Sequence, residues 1–140
     1  MFTAQDKDFI EVELFTTRYL GRQDTAERFA DLLFRYDGIY VPESWDTEDR
    51  SRLRRSFNRS ALPELIQEWI TPEEWKTLIF ARKRPKPIQM LMDMQRFSCA
   101  KFNGISVYTH QALLPSAATE RQLLDFTIEL GLLVEPMRPR

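Results

Sequence analysis

The stretch that decides the fold is residues 78–95, LIFARKRPKPIQMLMDMQ. After the prolines, every second residue from Ile88 to Met94 is large and apolar, and most residues between them are polar. This period of two indicates a strand with one buried face. The two prolines force a break between this run and the apolar run that precedes it. We therefore predict two neighbouring strands joined by a hairpin-like return.

A third strand is predicted after residue 103. The pair Asn103-Gly104 is typical of a tight turn, and Ile105, Val107 and Thr109 follow it as a β-rich run. Three strands in direct succession need no helical crossover between them. We therefore expect them to form an antiparallel meander.

A strand and a helix are predicted near the start of the chain. Residues 10–14, IEVEL, alternate apolar and acidic side chains, which indicates a strand with one solvent-exposed face. Residues 29–36 are apolar at helical spacing, and Gly38 is placed to end that helix. A second main helix is predicted from residue 119 to Gly131, with residues 132–134 as an edge strand. Its apolar residues are Leu123, Leu124, Phe126 and Ile128.

The stretch 43–74 is predicted as a helical insertion. It suits two short helices, one after Asp46 and one over residues 62–69, and Thr71-Pro72 has the form of a further helix start. The chain, 1–140, is expected to form a single α+β domain. We predict an antiparallel or mixed sheet of about four strands with two main helices on one face, for which a ferredoxin-like topology is one candidate.

The composition favours a folded chain with no general attraction to polyanions. Of the 140 residues, 43% are apolar, and 20 basic against 21 acidic side chains leave a formal net charge of -1. This balance gives no global field that would favour a nucleic acid or a membrane surface. Cys99 is the only cysteine, and the first residues lack the pattern of a secretory signal. We expect a cytoplasmic protein.

Few residues have the pattern of a catalytic or ligand-binding motif. His110 and Cys99 lie in no recognisable thiol-enzyme sequence, so structural roles are expected for both. The four glycines mark element boundaries and form no phosphate-binding loop, and we expect no cofactor and no metal. Glu11 and Glu13 share one strand face and could form an acid pair or bind a hard cation.

Two basic clusters are the best candidates for a binding surface. The first lies in the insertion, where two tryptophans flank several arginines, and the second lies at the proline-rich turn. Aromatic residues with arginine are typical of the positions that contribute most to protein interfaces. The predicted partner-binding residues are Trp45, Arg50, Arg52, Arg54, Arg55, Phe57, Arg59, Trp69, Arg82 and Arg84.

These observations favour binding over catalysis. We expect a non-catalytic protein-binding module, specifically a bacterial immunity or antitoxin-like protein that neutralises a toxin by covering its active site. One alternative is a nucleic-acid-binding accessory protein that uses the arginine clusters. Another is an enzyme with a carboxylate-based site at Glu11 and Glu13. Nucleic-acid binding would weaken steeply with salt, whereas a mostly apolar protein interface need not.

Overall fold

The computed structural model describes residues 8–36, 38–47, 53–95 and 103–134. These residues confirm the predicted α+β class and form more strands than the predicted number of about four. The strands are β1 (Phe9–Thr16), β2 (Ser44–Thr47), β3 (Arg55–Ser56), β4 (Trp75–Arg82), β5 (Ile88–Gln95) and β6 (Asn103–His110). The helices are α1 (Gln23–Leu33), α2 (Leu62–Ile70) and α3 (Ala117–Val134).

These six strands form one antiparallel sheet with the order β1-β6-β5-β4-β2-β3. The meander is confirmed, because β4 pairs with β5 and β5 pairs with β6. β1 lies at one edge and pairs with β6 from Phe9 opposite His110 to Thr16 opposite Asn103. A ferredoxin-like topology is wrong, since that fold is built from split β-α-β units, whereas here β1 is an edge strand beside the last strand.

The two sides of the sheet have different surroundings. On one side, alternate strand residues such as Phe80, Met90 and Val107 are buried in a hydrophobic core together with residues of α1, α2 and α3. The ring of Phe29 in α1 lies 5.2 Å from that of Phe80 and 5.4 Å from that of Trp69 in α2. The opposite side carries the other alternate residues, of which Glu11 and Glu13 are exposed, whereas Gln89 and Tyr108 are buried.

The predicted helical insertion at 43–74 is only partly confirmed. The helix predicted over residues 62–69 is present as α2, which adds a third helix to the two predicted on the core side. The prediction of a helix after Asp46 is wrong for the described residues of this stretch, where β2 and β3 pair with each other. Burial is the physical reason: Trp45 lies opposite Phe80 and is fully enclosed, a position that a strand provides and a surface helix does not.

Thr71 does not begin a helix either. The backbone leaves α2 at Ile70 and enters β4 at Trp75. The buried Lys76 ammonium group donates to the carbonyl oxygens of Glu68 (2.5 Å) and Thr71 (3.0 Å). These bonds satisfy acceptors at the C-terminal end of α2 and tie that end to β4.

Asn103 and Gly104 begin β6 and do not form the predicted turn. The Asn103 side chain is buried, and its oxygen accepts hydrogen bonds from the backbone N–H groups of Leu20 (3.2 Å) and Gln95 (2.9 Å). Its amide N–H group donates to the carbonyl oxygen of Gln95 at 3.1 Å. Asn103 thus joins the start of β6 to the end of β5 and to the segment before α1.

The last helix is longer than predicted. Gly131 does not end α3, and residues 132–134 continue the helix instead of forming an edge strand. Leu133 and Val134 are buried at helical spacing after Leu130. Their contribution to the core outweighs the modest cost of one glycine inside a helix.

Candidate functional site

Two residues predicted to bind a partner lie in the hydrophobic core. Trp45 and Trp69 have no exposed surface, and the indole N–H group of Trp69 donates to the carbonyl oxygen of Leu20 at 2.7 Å. The Trp45 ring stacks on that of Phe80 at 6.5 Å. This corrects the prediction for both tryptophans, because a partner cannot touch a side chain that the chain's own core encloses.

Arg55, in the first basic cluster, is engaged within the chain. Its guanidinium group forms ion pairs with Asp46 (3.6 Å), Glu64 (3.6 Å) and Glu68 (3.4 Å). It also lies 4.7 Å from the centroid of the Trp45 ring, within the range of a cation–π contact. Arg55 therefore links β3 to α2 and covers Trp45, and its charge is offset by its own neighbours.

Arg82, in the second cluster, also has intramolecular partners. Its Nη1 atom donates to the carbonyl oxygens of Gly38 (2.6 Å), Ile39 (2.9 Å) and Val41 (3.1 Å). Its Nε atom donates to the carbonyl oxygen of Arg84 at 2.6 Å. Arg82 therefore holds the turn after α1, and the exposed Arg84 is the arginine of this cluster that a partner could reach.

The basic side chains of the two clusters that stay exposed form a group that we call the basic edge. Glu43 joins its two parts: its side chain accepts a hydrogen bond from the Lys83 backbone (2.5 Å), and its carbonyl oxygen accepts one from the Phe57 backbone (3.1 Å). Clusters that are distant in the sequence thus meet beside β2 and β3. The members of the basic edge are Arg54, Arg59, Lys83, Arg84 and Lys86.

The other predicted residues of the first cluster have different placements. Phe57 is only 7% exposed, and its ring stacks on that of Phe34 at 5.7 Å. The Arg59 guanidinium group lies 4.1 Å from the centroid of the same Phe34 ring. Arg50 and Arg52 lie outside the described residues, so their role stays a prediction.

Glu11 and Glu13 lie on the side of β1 that faces away from the helices, and both side chains are exposed. A hydrogen bond between them raises the pKa of Glu13 above its ordinary value, and partial desolvation and the Glu11 charge act in the same direction. The hydroxyl group of Tyr108, opposite Glu11, also hydrogen-bonds to Glu11. Catalytic carboxyl groups commonly owe such a shift to burial, whereas these two side chains are exposed.

The remaining candidates for chemistry have local contacts or lie outside the described residues. His110 ends β6, where its Nδ1 atom accepts a hydrogen bond from the Ala112 backbone at 3.0 Å. Its ring meets that of Phe9 edge-on at 5.3 Å. Cys99 is not among the described residues. Within the described ranges, no three His, Cys, Asp or Glu side chains are grouped so that they could hold a metal ion.

The outer side of α3 carries an apolar line that the sequence did not reveal. Leu124, Ile128 and Leu132 are 49%, 50% and 50% exposed and follow one another at intervals of about one helical turn. Phe126 and Leu130 are buried on the other side of the same helix. The sequence contains the repeat, but a helix with apolar residues on both sides does not show which side is covered. We call Leu124, Ile128 and Leu132 the α3 stripe.

Two ion pairs lie beside the α3 stripe. Arg121 contacts Asp125 at 3.2 Å, and Glu129 contacts Arg35, just after α1, at 3.4 Å. Arg35 follows Phe34 in the sequence. The guanidinium group of Arg59, a member of the basic edge, lies over the Phe34 ring. Charges at two places along the rim of the stripe are therefore offset by partners within the chain.

Comparisons of the chain with protein-family models, with curated proteins and with solved structures find no match. In the described part of the chain, no helix combines the length and the apolar character needed to cross a membrane.

Proposed function

We propose that this chain is a non-catalytic protein-binding module and that its partner covers the α3 stripe. The observation that carries the proposal is the exposure of Leu124, Ile128 and Leu132 along one line of a helix whose other side belongs to the core. Single exposed apolar residues are common, but a contiguous apolar line is typical of a binding site. A helix that is apolar on both sides is usually buried on both.

Coverage of the α3 stripe would supply a substantial part of a binding free energy. Full burial of a Leu or Ile side chain is worth about 1.5–3 kcal/mol, so the exposed halves of three such side chains contribute about 2–4 kcal/mol. The flanking ion pairs, Arg121 with Asp125 and Arg35 with Glu129, can stay hydrated at the rim. The matching surface on the partner is therefore an apolar groove or an apolar helix face.

The specific partner that we propose is a bacterial toxin, which the chain would neutralise as an immunity or antitoxin-like protein. The support is general: the chain offers an apolar surface for affinity and a charged surface that can accelerate association. The basic edge, with Arg59 over Phe34 and Arg35 paired to α3, would attract an acidic rim on such a partner. One partner could thus contact both surfaces.

A nucleic acid is the second candidate ligand, and the basic edge is the observation that favours it. Its five exposed cations could neutralise phosphates, and Arg59 stacked on Phe34 provides a flat surface for a base. Two features oppose this candidate. Glu43 lies within the basic edge, and the formal net charge of the chain is -1.

A comparison of variants on the two surfaces tests the proposal. The chain is immobilised, a protein is captured from a nuclease-treated host extract, and binding of the purified partner is measured by titration calorimetry. We expect Ile128→Glu to weaken binding by at least about tenfold. Ala118→Glu adds the same charge at an exposed position of α3 outside the stripe and should change the affinity by less than about twofold.

Two results would count against this assignment. Unchanged binding by Ile128→Glu contradicts the role of the α3 stripe. A nucleic acid retained from an extract without nuclease, lost in an Arg59→Glu/Arg84→Glu variant and bound with a steep dependence on salt, supports the nucleic acid instead.

A further inference from the structure

The hydrogen-bond pattern of β1 shows which of its backbone groups point away from the sheet. β1 ends the strand order, and among the described strands only β6 pairs with it. The backbone N–H group of Gln111 donates to the carbonyl oxygen of Asp8 at 2.8 Å, which continues this pairing by one position. Hydrogen-bonded and non-hydrogen-bonded positions alternate along an antiparallel pair. The backbone groups of the even-numbered residues of β1 therefore point to β6, and those of Glu11 and Glu13 point outward.

The pairing on the other side of β6 agrees with this pattern. The His110 backbone N–H group donates to the carbonyl oxygen of Pro87 at 3.2 Å, so the even-numbered residues of β6 bond to β5 and the odd-numbered ones to β1. Odd-numbered residues of β6 lie opposite even-numbered residues of β1. Within the described ranges, no hydrogen bond is found for the outward N–H and C=O groups of Glu11 and Glu13. These four groups form what we call the β1 edge.

A cleft of about 320 Å³ lies between the start of β1 and α3. Ligand-binding clefts range from about 300 to 1,000 Å³, so this one lies at the small end of that range. Ile10 shares the core side of β1, yet 36% of its surface is exposed. The cleft thus leaves apolar side chains uncovered beside the β1 edge. Its lining residues are Ile10, Gln111, Leu114, Glu120 and Leu123.

The cleft lies on the flank of α3 that faces away from α1. On the other flank, Glu129 pairs at 3.4 Å with Arg35, just after α1. Glu120 is nine residues before Glu129, which at 3.6 residues per turn places the two on opposite sides of the helix. Leu124 follows Glu120 by about one turn, so the α3 stripe begins beside the cleft. Because α3 packs on β1 and β6, this flank faces the position that an added strand would take.

We propose that an extended segment of the partner protein pairs with the β1 edge and places an apolar side chain in the cleft. Main-chain hydrogen bonds give such an added strand its affinity, and side chains at alternate positions give it specificity. Directly opposite residues of antiparallel strands project from the same face. The partner residues opposite Glu11 and Glu13 therefore lie beside exposed carboxyl groups and are Lys or Arg. The residues between and beside them face the core side and are apolar.

Charge complementarity favours this occupant over a second copy of the chain. Two β1 strands side by side would set acid against acid, because the exposed residues of β1 are Glu11 and Glu13. A partner segment that alternates basic and apolar residues avoids this repulsion and fills the cleft. The inference rests on the proposed function only in taking a protein as the occupant. The β1 edge and the cleft can hold a peptide whether or not the rest of the α3 stripe is covered.

The experiment uses short peptides and the full chain labelled with ¹⁵N. The probe is acetyl-Val-Lys-Val-Lys-Leu-amide, and the control, acetyl-Val-Val-Lys-Lys-Leu-amide, has the same composition without the alternation. Affinity is measured from NMR shifts, and strand pairing from the exchange of backbone N–H groups with solvent. We expect the control to bind at least about fivefold more weakly. At saturation the probe should slow exchange at Glu11 and Glu13 at least about fivefold, whereas positions 10, 12 and 14, already bonded to β6, should change less than about twofold.

Variants of the site provide the second part of the test. Glu11→Lys/Glu13→Lys keeps the backbone of the β1 edge and should weaken binding of the probe at least about tenfold. The same variant should bind acetyl-Val-Glu-Val-Glu-Leu-amide at least about fivefold more tightly than the wild type does. Ile10→Ser should weaken the probe about threefold, because an apolar wall of the cleft is lost. The matched control Glu27→Lys/Glu74→Lys changes two exposed acids elsewhere and should alter affinity less than about twofold.

Four outcomes would overturn the inference: equal binding of the two lysine peptides, unchanged exchange at Glu11 and Glu13 at saturation, no preference of the charge-reversed variant for the acidic peptide, or protection that rises with protein concentration alone. The last would make a second copy the occupant. If the probe fails to bind while Ile128→Glu still releases the captured partner, the β1 edge fails alone. If the probe binds while Ile128→Glu keeps the partner, the α3 stripe fails alone.

Discussion

Arg82 donates from Nη1 to the carbonyl oxygen of Gly38 at 2.6 Å and so joins the end of β4 to the turn after α1. Gly38 has a φ of 77°, in the left-handed region that glycine adopts without strain. The same guanidinium group reaches two further carbonyl oxygens of this turn, those of Ile39 and Val41. The connection from α1 to β2 is therefore held by a side chain from a strand formed much later in the chain.

We expect Arg82→Ala to lower the free energy of unfolding by about 1–3 kcal/mol, because several backbone acceptors lose a charged donor. Urea unfolding followed by circular dichroism measures this change. Arg84→Ala is the matched control, since the Arg84 side chain is exposed and its backbone acceptor is retained. It should stay within about 0.5 kcal/mol of the wild type. Equal losses in the two variants would show that the turn does not depend on Arg82.

Gly104→Ala and Gly131→Ala should change stability in opposite directions. A Cβ atom at Gly104 would lie 2.6 Å from the carbonyl oxygen of Leu14, a backbone atom that cannot easily move, so we expect a loss of about 1–3 kcal/mol. At Gly131 no described atom lies within 4 Å of the new methyl group, and the residue is inside α3. There alanine should raise the free energy of unfolding by about 0.5–1 kcal/mol. Thermal unfolding of both variants decides the matter, and a stabilised Gly104→Ala would contradict the close approach of β1 and β6.

Ile128 and Leu130 lie on opposite sides of α3 and should respond differently to substitution. Ile128→Glu leaves the core untouched, so the unfolding free energy of the isolated chain should change by no more than about 0.5 kcal/mol. Leu130 is fully buried, and Leu130→Ala should cost about 2–5 kcal/mol. Chemical denaturation of the two variants distinguishes the core side from the α3 stripe. A large loss for Ile128→Glu would mean that the stripe already has a structural partner.

Glu13 should make the folded chain less stable as the pH rises. The hydrogen bond with Glu11 raises the folded pKa of Glu13 above its ordinary value of 4.5, so the folded chain holds this proton more tightly than the unfolded chain does. The stabilising contribution is complete below the unfolded pKa and is lost as the pH rises through the folded pKa. Glu13→Gln should therefore gain stability relative to the wild type between about pH 4 and pH 7. Urea midpoints across this range measure the difference, and a constant difference would contradict the raised pKa of Glu13.

The stability contribution of Glu43 should change with pH in the opposite direction to that of Glu13. Hydrogen bonds from the backbone N–H groups of Lys83 and then Arg84 lower the pKa of Glu43, although slight burial opposes them. Its stabilising contribution is present above the unfolded pKa and is lost as the pH falls through the folded pKa. Glu43→Gln should thus be less stable than the wild type near neutral pH, and the difference should vanish in acid. Parallel behaviour of the Glu13 and Glu43 variants would refute one of the two assignments.

The sequence predicted the elements that have a long repeat and missed those that are short. The alternation of residues 10–14 and of Ile88–Met94 extends far enough to identify β1 and β5. β2 has four residues and β3 has two, which is too short for any period to appear. They are held by contacts that no local pattern encodes, such as the Asp46 carboxylate, which accepts hydrogen bonds from the Thr47 and Arg54 backbones.

The sequence predicted the charged character of the candidate binding surface but not which of its residues stay accessible. A cluster of arginines indicates charged contacts, but the sequence does not say whether the acceptors belong to the same chain. Arg82 finds its partners in the turn after α1, and Arg55 finds its partners in β2 and α2, so both guanidinium groups are engaged within the chain. In α3, Leu123 is buried and Leu124 is exposed, a difference that only the packing of the helix on the sheet decides.

The place of β1 in the sheet has a consequence for the newly made chain. A ribosome produces β1 first among the described strands, yet its described neighbour in the sheet, β6, is produced last. An unpaired strand with an apolar side invites edge-to-edge association with other nascent chains. Glu11 and Glu13 oppose this, because two such strands side by side would bring four carboxyl groups together. The acids that later face outward from the sheet would thus disfavour association of its earliest strand until β6 has been made.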